Sequence, residues 1–208
     1  ELGVAVADIG AATIDLTLFA DGSPFYTAVL PVGGNNVTND VAIGVKTTLQ
    51  VAEELKVRHG TCDLRAIEDE EISVSVLGEE AGRTVSRVEL CQIIESRMRE
   101  TFELLRGEMA RSGHGMLPAG IILTGGASLL AGTAELGREV LQMPVRVTGP
   151  AGISGLVDTI QDPSYSTAVG LLRWGAMQIA MGDPLHYESA PGGGGLSRIR
   201  RGPPTARP

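Results

Sequence analysis

Two glycine turns, far apart in the sequence, constrain this chain more than any other feature. They are Asp8-Ile9-Gly10-Ala11-Ala12-Thr13-Ile14-Asp15 near the start and Leu123-Thr124-Gly125-Gly126-Ala127-Ser128 past the middle. Each follows an apolar, strand-like run. A sheet that brings both turns to one end can wrap a phosphate chain and a nucleoside from two sides, although either turn alone is weak evidence. In the first turn, the amides of Gly10, Ala11, Ala12 and Thr13 are candidates to converge on the β- and γ-phosphates, with the Thr13 hydroxyl as an extra donor. Asp8, a carboxylate at a strand end, is the candidate for the metal side, where Mg²⁺ is usually held through its waters. The plain alternative is a hairpin with Asp8 and Asp15 solvated at its ends. In the second turn, Gly125 and Gly126, followed by Ala127 and Ser128, permit close backbone approach to a base or ribose, and the dipole of a following helix would add to it. The alternative there is an ordinary strand-to-helix turn.

The elements around the turns predict an α/β fold. Val4 to Ile9, Ile14 to Phe19 and Phe25 to Leu30 read as an antiparallel meander, with Ala20-Asp21-Gly22-Ser23 as a hairpin signal. The first run is nearly all apolar, as a strand covered on both faces would be. Pro31 to Asn36 reads as a loop, and Thr38-Asn39-Asp40 as the cap of a helix carrying Val41, Ile43 and Val45. From about Thr48 to Thr84 the chain turns to short charged pieces: a helix over Gln50 to Lys56 and strands over Arg65 to Ile67 and Ile72 to Val76. The capping-box pattern Ser86-Arg87-Val88-Glu89 then opens a long helix whose stripe is Leu90, Ile94, Met98, Phe102, Leu105 and Met109, stopping at Ser112-Gly113. A strand over Ala119 to Thr124, a helix over Ser128 to Gln142, a strand over Pro144 to Thr148 and a helix over Ser164 to Met181 follow, an alternation that adds parallel strands to the sheet.

On the insertion helix, Glu53 and Lys56 lie three apart and share a face, where a carboxylate can accept ribose hydroxyls and an ammonium can reach base or phosphates; the alternative is a surface ion pair. Lys56 is one of two lysines in an arginine-rich chain. Arg83, Arg87 and Arg97 bracket the start of the long helix and can receive an acidic peptide, or simply form a solvated face. No Ser/His/Asp or Cys/His set accompanies either turn, which argues against hydrolysis by a nucleophilic side chain. Cys62 and Cys91 read as buried thiols of a reducing compartment. The net charge of −8 conceals four arginines (Arg198, Arg200, Arg201, Arg207) in a Gly/Pro-rich tail; without them the body stands at −12, which disfavours nucleic acid. No apolar run reaches a membrane span's length, so the body is expected to be cytoplasmic. Because Glu1 is not an initiator methionine, the chain is expected to be a piece of a longer protein.

These residues resemble the FtsA family of bacterial cell-division proteins, within the actin, Hsp70 and sugar-kinase superfamily. Beside the two turns, the carriers are Ala28 to Asp40 with its Gly33-Gly34-Asn35-Asn36 core, Ala52 to Val57, Gly152 to Asp158, and Tyr165 to Leu172. The resemblance implies an actin-like (ribonuclease H-like) half: a mixed five-stranded sheet with helices, plus a small inserted α+β subdomain. Residues 1–48 and 85–183 would be subdomain IIA, 49–84 subdomain IIB, and 184–208 a disordered tail.

It further implies ATP with Mg²⁺ in a cleft between this half and a preceding one, contacted by Asp8, Gly10, Ala11, Ala12, Thr13, Glu53, Lys56, Gly125, Gly126, Ala127 and Ser128. It implies at most weak ATPase activity, self-association into actin-like filaments, other divisome partners, and a place on the cytoplasmic face of the membrane at the division site. The C-terminal peptide of the tubulin-like FtsZ would dock on Arg83 and Arg97. The alternatives within the superfamily are a pilus-assembly actin-like protein or a sugar kinase. Two departures stand out. Ala11 and Ala12 replace family glycines, and an added Cβ penalises positive φ and holds a phosphate further from the backbone, so weakened ATP binding is expected. The tail from Leu196 to Pro204 is too poor in bulky apolar residues for a stable membrane helix.

Overall fold

The computed structural model describes residues 3–74, 83–113, 117–152 and 160–181. Strands β1 (Val4–Ile9), β2 (Ile14–Ala20) and β3 (Ser23–Leu30) form the expected antiparallel meander, registered from Ile9↔Ile14 and Ile14↔Leu30. Asp21 and Gly22 turn the second hairpin with φ of 50° and 76°, the left-handed pair that matches strand twist. Further along the chain lie β4 (Glu71–Val74), β5 (Arg83–Ser86), β6 (Ile121–Thr124) and β7 (Val145–Val147). Of these, β6 pairs parallel with β1, and β7 parallel with β6, so the sheet runs β3-β2-β1-β6-β7. The register sets Asp8 beside Thr124. Parallel pairing thereby delivers both glycine turns to the same end of adjacent strands.

The helices are α1 (Gly34–Val45), α2 (Leu49–His59), α3 (Arg87–Arg111), α4 (Thr133–Leu141) and α5 (Ser166–Ala180). All six stripe residues of α3 are buried against a core that includes Ala5, Ala7, Ile9, Leu16 and Leu18. Ser86 caps α3 by accepting the Glu89 N–H, as the capping-box pattern requires. In β1 only the alternate residues Ala5, Ala7 and Ile9 are fully buried; Val4 and Val6 are half-buried, a difference from the expected cover on both faces.

Three local expectations are corrected. α1 begins at Gly34, a turn before Thr38, because the Asn36 side chain accepts the Gly33 N–H at 2.9 Å and takes the capping role. Leu64–Ala66 is a single 3₁₀ turn, closed by the Asp63 carboxylate accepting the Arg65 N–H at 3.2 Å, and no strand. The segment after the second glycine turn is a 3₁₀ turn (Gly126–Leu129), with α4 starting only at Thr133. Gly132, at φ 77°, breaks the run, and Ala131 is drawn aside to accept the Cys62 N–H at 2.7 Å. Beside these, β4 and β5 form a separate two-stranded sheet.

The chain divides into two compact units, 1–167 and 168–208. Of the second, residues 168–181 are described, a helical run with Arg173 as its only charge. The 184–208 tail and Ile153 to Asp158 of the family-like Gly152 to Asp158 segment lie outside the described residues. Among the described residues no helix is long and apolar enough to cross a membrane.

Candidate nucleotide site

The first turn is held by Gly10 N–H donating to the Thr13 carbonyl at 2.9 Å. Ala11 and Ala12 lie at its exposed tip and are not among the positive-φ residues, so their Cβ atoms cost the backbone nothing. The backbone part of the expected penalty is therefore absent. The carbonyls of Gly10 and Ala11 accept the N–H groups of Gly34 and Asn35 at 2.9 and 2.7 Å, which seats the start of α1 directly on the turn. That seating requires glycine at 33: a Cβ there would lie 2.6 Å from the Gly10 oxygen and 2.7 Å from that of Ala11.

The second turn meets the first through close packing. Gly125, at φ 85°, leaves no room for a side chain, since a Cβ would fall 2.2 Å from Asp8 Oδ1. Its N–H is used by the Pro163 carbonyl, and the Ser128 hydroxyl donates back to the Gly125 carbonyl at 2.7 Å. Gly126 and Ala127 face a cavity of about 670 Å³, in the size range of small-molecule sites. Gly10, Ala11, Gly34, Asn35, Glu53 and Lys56 line the same cavity.

The charge in this cavity is organised from α2. Lys56 is 12% exposed and its Nζ lies 2.6 Å from Glu53 Oε2, while donating to Thr38 Oγ1 at 2.9 Å and to the Gly34 carbonyl at 3.2 Å. The Thr38 hydroxyl reaches Glu53 Oε2 at 2.5 Å. Burial alone would raise the Glu53 carboxyl, but hydrogen bonds from Lys56 and Thr38 and the Lys56 charge outweigh it and hold the group below its usual range. The Glu53 side chain is itself 48% exposed, so the pair is buried at its Lys56 end and open to solvent at its carboxylate end.

The sequence-derived residues thus separate. Gly10, Ala11, Glu53, Lys56, Gly126 and Ala127 come together on one cavity; Asp8, Ala12, Thr13, Gly125 and Ser128 are not part of its lining. Asp8 accepts a hydrogen bond from the Thr167 hydroxyl, and the Thr13 hydroxyl lies 3.4 Å from Asp15 Oδ2. Gly125 and Ser128 shape the turn from behind. Because a 3₁₀ turn follows Gly126, the helix dipole expected there is not supplied. Arg87, grouped from sequence with a peptide-binding face, instead lines the cavity, its Nε on the His59 carbonyl at 3.1 Å. Arg97 reaches Asp40 of α1 at 2.5 Å and also pairs with Glu100. Arg83 is placed by its backbone alone, opposite Val74. Sequence reasoning missed that Thr38 joins Glu53 and Lys56, and that Gly33 and Gly34 pack on the first turn, although the paired glycines were a visible signal. Cys62 is buried, and its thiol is pushed up to about 12 chiefly by that burial, which disfavours the reactive thiolate.

Residues 5–170 match the family model described as cell division protein FtsA. The chain belongs to the FtsA family. It is 39% identical over 210 residues to the cell division protein FtsA of Pseudomonas aeruginosa, covering 97% of this chain and 50% of that protein. To the FtsA of Escherichia coli K12 it is 40% identical over 185 residues, 84% of this chain and 44% of that protein. The chain therefore spans about half the length of the FtsA relatives it matches. Among solved structures, MreB5 of Spiroplasma citri bound to ADP superposes with a TM-score of 0.68 at 15% identity, over 86% of this chain and 56% of MreB5. A non-polymerising MamK mutant bound to AMPPNP gives 0.59 at 18%, over 82% and 53%. These neighbours establish the actin-like fold of the FtsA-family chain.

Proposed function

We propose that this FtsA-family chain carries one wall of an ATP site in a cell-division adaptor that tethers FtsZ polymers to the inner membrane and helps assemble the divisome. The observation that carries the reading is the single cavity that joins both glycine turns to Lys56. A nucleoside triphosphate fits the donor set: an ammonium held at 12% exposure, a carboxylate kept ionised beside it, and exposed backbone at Ala11 and Gly126. Lys56 would meet base or phosphate charge, Glu53 the ribose hydroxyls, and Gly10 to Thr13 the β- and γ-phosphates. Mg²⁺, if bound, would neutralise phosphate charge, and Asp8, beside the first turn, would be the residue to hold it through its waters. The MreB5 and MamK structures, solved with ADP and AMPPNP, support nucleotide binding in this fold.

On this reading residues 1–48 and 85–183 act as subdomain IIA and 49–84 as IIB. The acidic C-terminal peptide of FtsZ docks at Arg83 and Arg97, self-association follows the filament habit of MamK, and ATP turnover is slow. The protein works at the cytoplasmic face of the membrane at the division site. Isothermal titration of the intact protein with ATP and Mg²⁺ tests the core of this. Binding that falls at least about tenfold in Lys56→Ala, roughly one lost charge-assisted contact, supports it. An intact, folded protein that shows no heat and no competition with a fluorescent ATP analogue refutes it.

A further inference from the structure

Thr38 does not line the cavity, is 6% exposed, and sits where α1 and α2 meet. Its hydroxyl lies 3.0 Å from the Gly34 carbonyl and 2.5 Å from Glu53 Oε2, and accepts the Lys56 ammonium at 2.9 Å. One hydroxyl therefore touches the carboxylate, the ammonium and the carbonyl whose own residue is seated on Gly10. Both Glu53 contacts fall on Oε2. Among the described residues, Oε1 takes part in no hydrogen bond or ion pair. A carboxylate with one oxygen pinned and the other open is oriented rather than merely neutralised, because rotation about its last torsion would break two bonds at once.

We infer that Thr38 is a positioning residue for sugar recognition: by fixing Glu53 Oε2 it presents Oε1 to the ribose hydroxyls and so sets the preference for ribonucleotides over nucleotides that lack them. This rests on the nucleotide reading above and deepens it. Without the hydroxyl, Lys56 still neutralises Glu53, so charge in the cavity is retained while the orientation of the carboxylate is lost. The consequence is a change in discrimination, which a purely structural threonine would not produce.

The test compares ATP with 2′,3′-dideoxy-ATP, each with Mg²⁺, on the intact protein. Wild type is expected to favour ATP about tenfold, the equivalent of about 1.4 kcal/mol. Thr38→Val is expected to weaken ATP toward the dideoxy level, leaving a preference of no more than about threefold, and Thr38→Ser to restore the wild-type ratio. In a Glu53→Gln background, Thr38→Val should change the ratio no further, as expected for two residues acting through one contact. Equal weakening of both nucleotides in Thr38→Val, or an unchanged ratio, overturns the inference while leaving nucleotide binding intact. Should Thr38→Val fail to fold, a Thr38→Ser ratio as low as that of Glu53→Gln overturns it. A wild-type protein that binds ATP without sugar preference also overturns it, and one that binds neither nucleotide overturns the nucleotide reading together with it.

Discussion

Replacing Gly33 by alanine probes the joint on which the site depends. Gly33 has φ −174° and ψ −163°, extended backbone open to any residue, so the substitution carries no conformational strain. The cost is steric and falls on backbone atoms that cannot rotate away: 2.6 Å to the Gly10 oxygen and 2.7 and 2.8 Å to the oxygen and carbon of the Ala11 carbonyl. Ordinary carbon-to-oxygen contacts need about 3.3 Å, so the start of α1 must retreat by roughly 0.5 Å or more. That retreat weakens both amide bonds from Gly34 and Asn35. At about 1 kcal/mol each, less the ~0.5 kcal/mol gained by stiffening the unfolded chain, the net loss is about 1.5 kcal/mol. A domain of this size converts that into a fall in Tm of about 3–6 °C. Differential scanning calorimetry reads it directly, with Gly107→Ala as the counterpart: a Cβ there meets nothing within 4 Å inside α3, so helix propensity should raise Tm instead. If Gly33→Ala melts at or above wild type, α1 is not seated on the turn as described.

Two further outcomes follow from the charged groups. The Glu53 carboxyl is held below its usual value in the folded protein, so its contribution is complete above the ordinary carboxylate range and is lost as pH falls through the depressed folded value. The Tm difference between wild type and Glu53→Gln should therefore be steady above about pH 5 and shrink on further acidification; a difference that grows in acid contradicts the ionised network. Second, if Arg97 receives an acidic peptide, Asp40 competes for it at 2.5 Å. Asp40→Asn should then tighten binding of an FtsZ C-terminal peptide by about threefold to tenfold in low salt and less in high salt, and fluorescence anisotropy showing weaker binding would place the peptide elsewhere.

What could be read from the sequence was whatever short-range pattern decides. The meander, the α3 stripe and the Ser86 cap follow from period, turn chemistry and capping within a few residues, and each matches the structure. The late start of α4 was legible only in part: Gly132 is a visible breaker, but Ala131 turning to meet Cys62 depends on a partner far away in the chain. The strand expected over Arg65 to Ile67 fails because the Asp63 side chain closes a turn locally at Leu64–Ala66. At the site, both glycine turns and the Glu53/Lys56 pair were visible as motifs. Thr38 was not: from sequence it reads as a helix cap, and its contacts depend on its place inside α1 and on its neighbours on α2. At Ala11 and Ala12 the sign of φ could not be read from sequence, and the structure removes the backbone part of their expected cost.

Helix α1 has its first residue bonded to Gly10, its fifth to the acid and base of α2, and its seventh to Arg97 on α3. An α-helix rises about 1.5 Å per residue, so these three anchor points are strung over roughly 9 Å of a rod too stiff to shorten. Arg97 therefore grips the middle of α1, two residues past Thr38, so any shift of Gly34 on the first turn is carried along the same rigid segment to the Asp40–Arg97 pair.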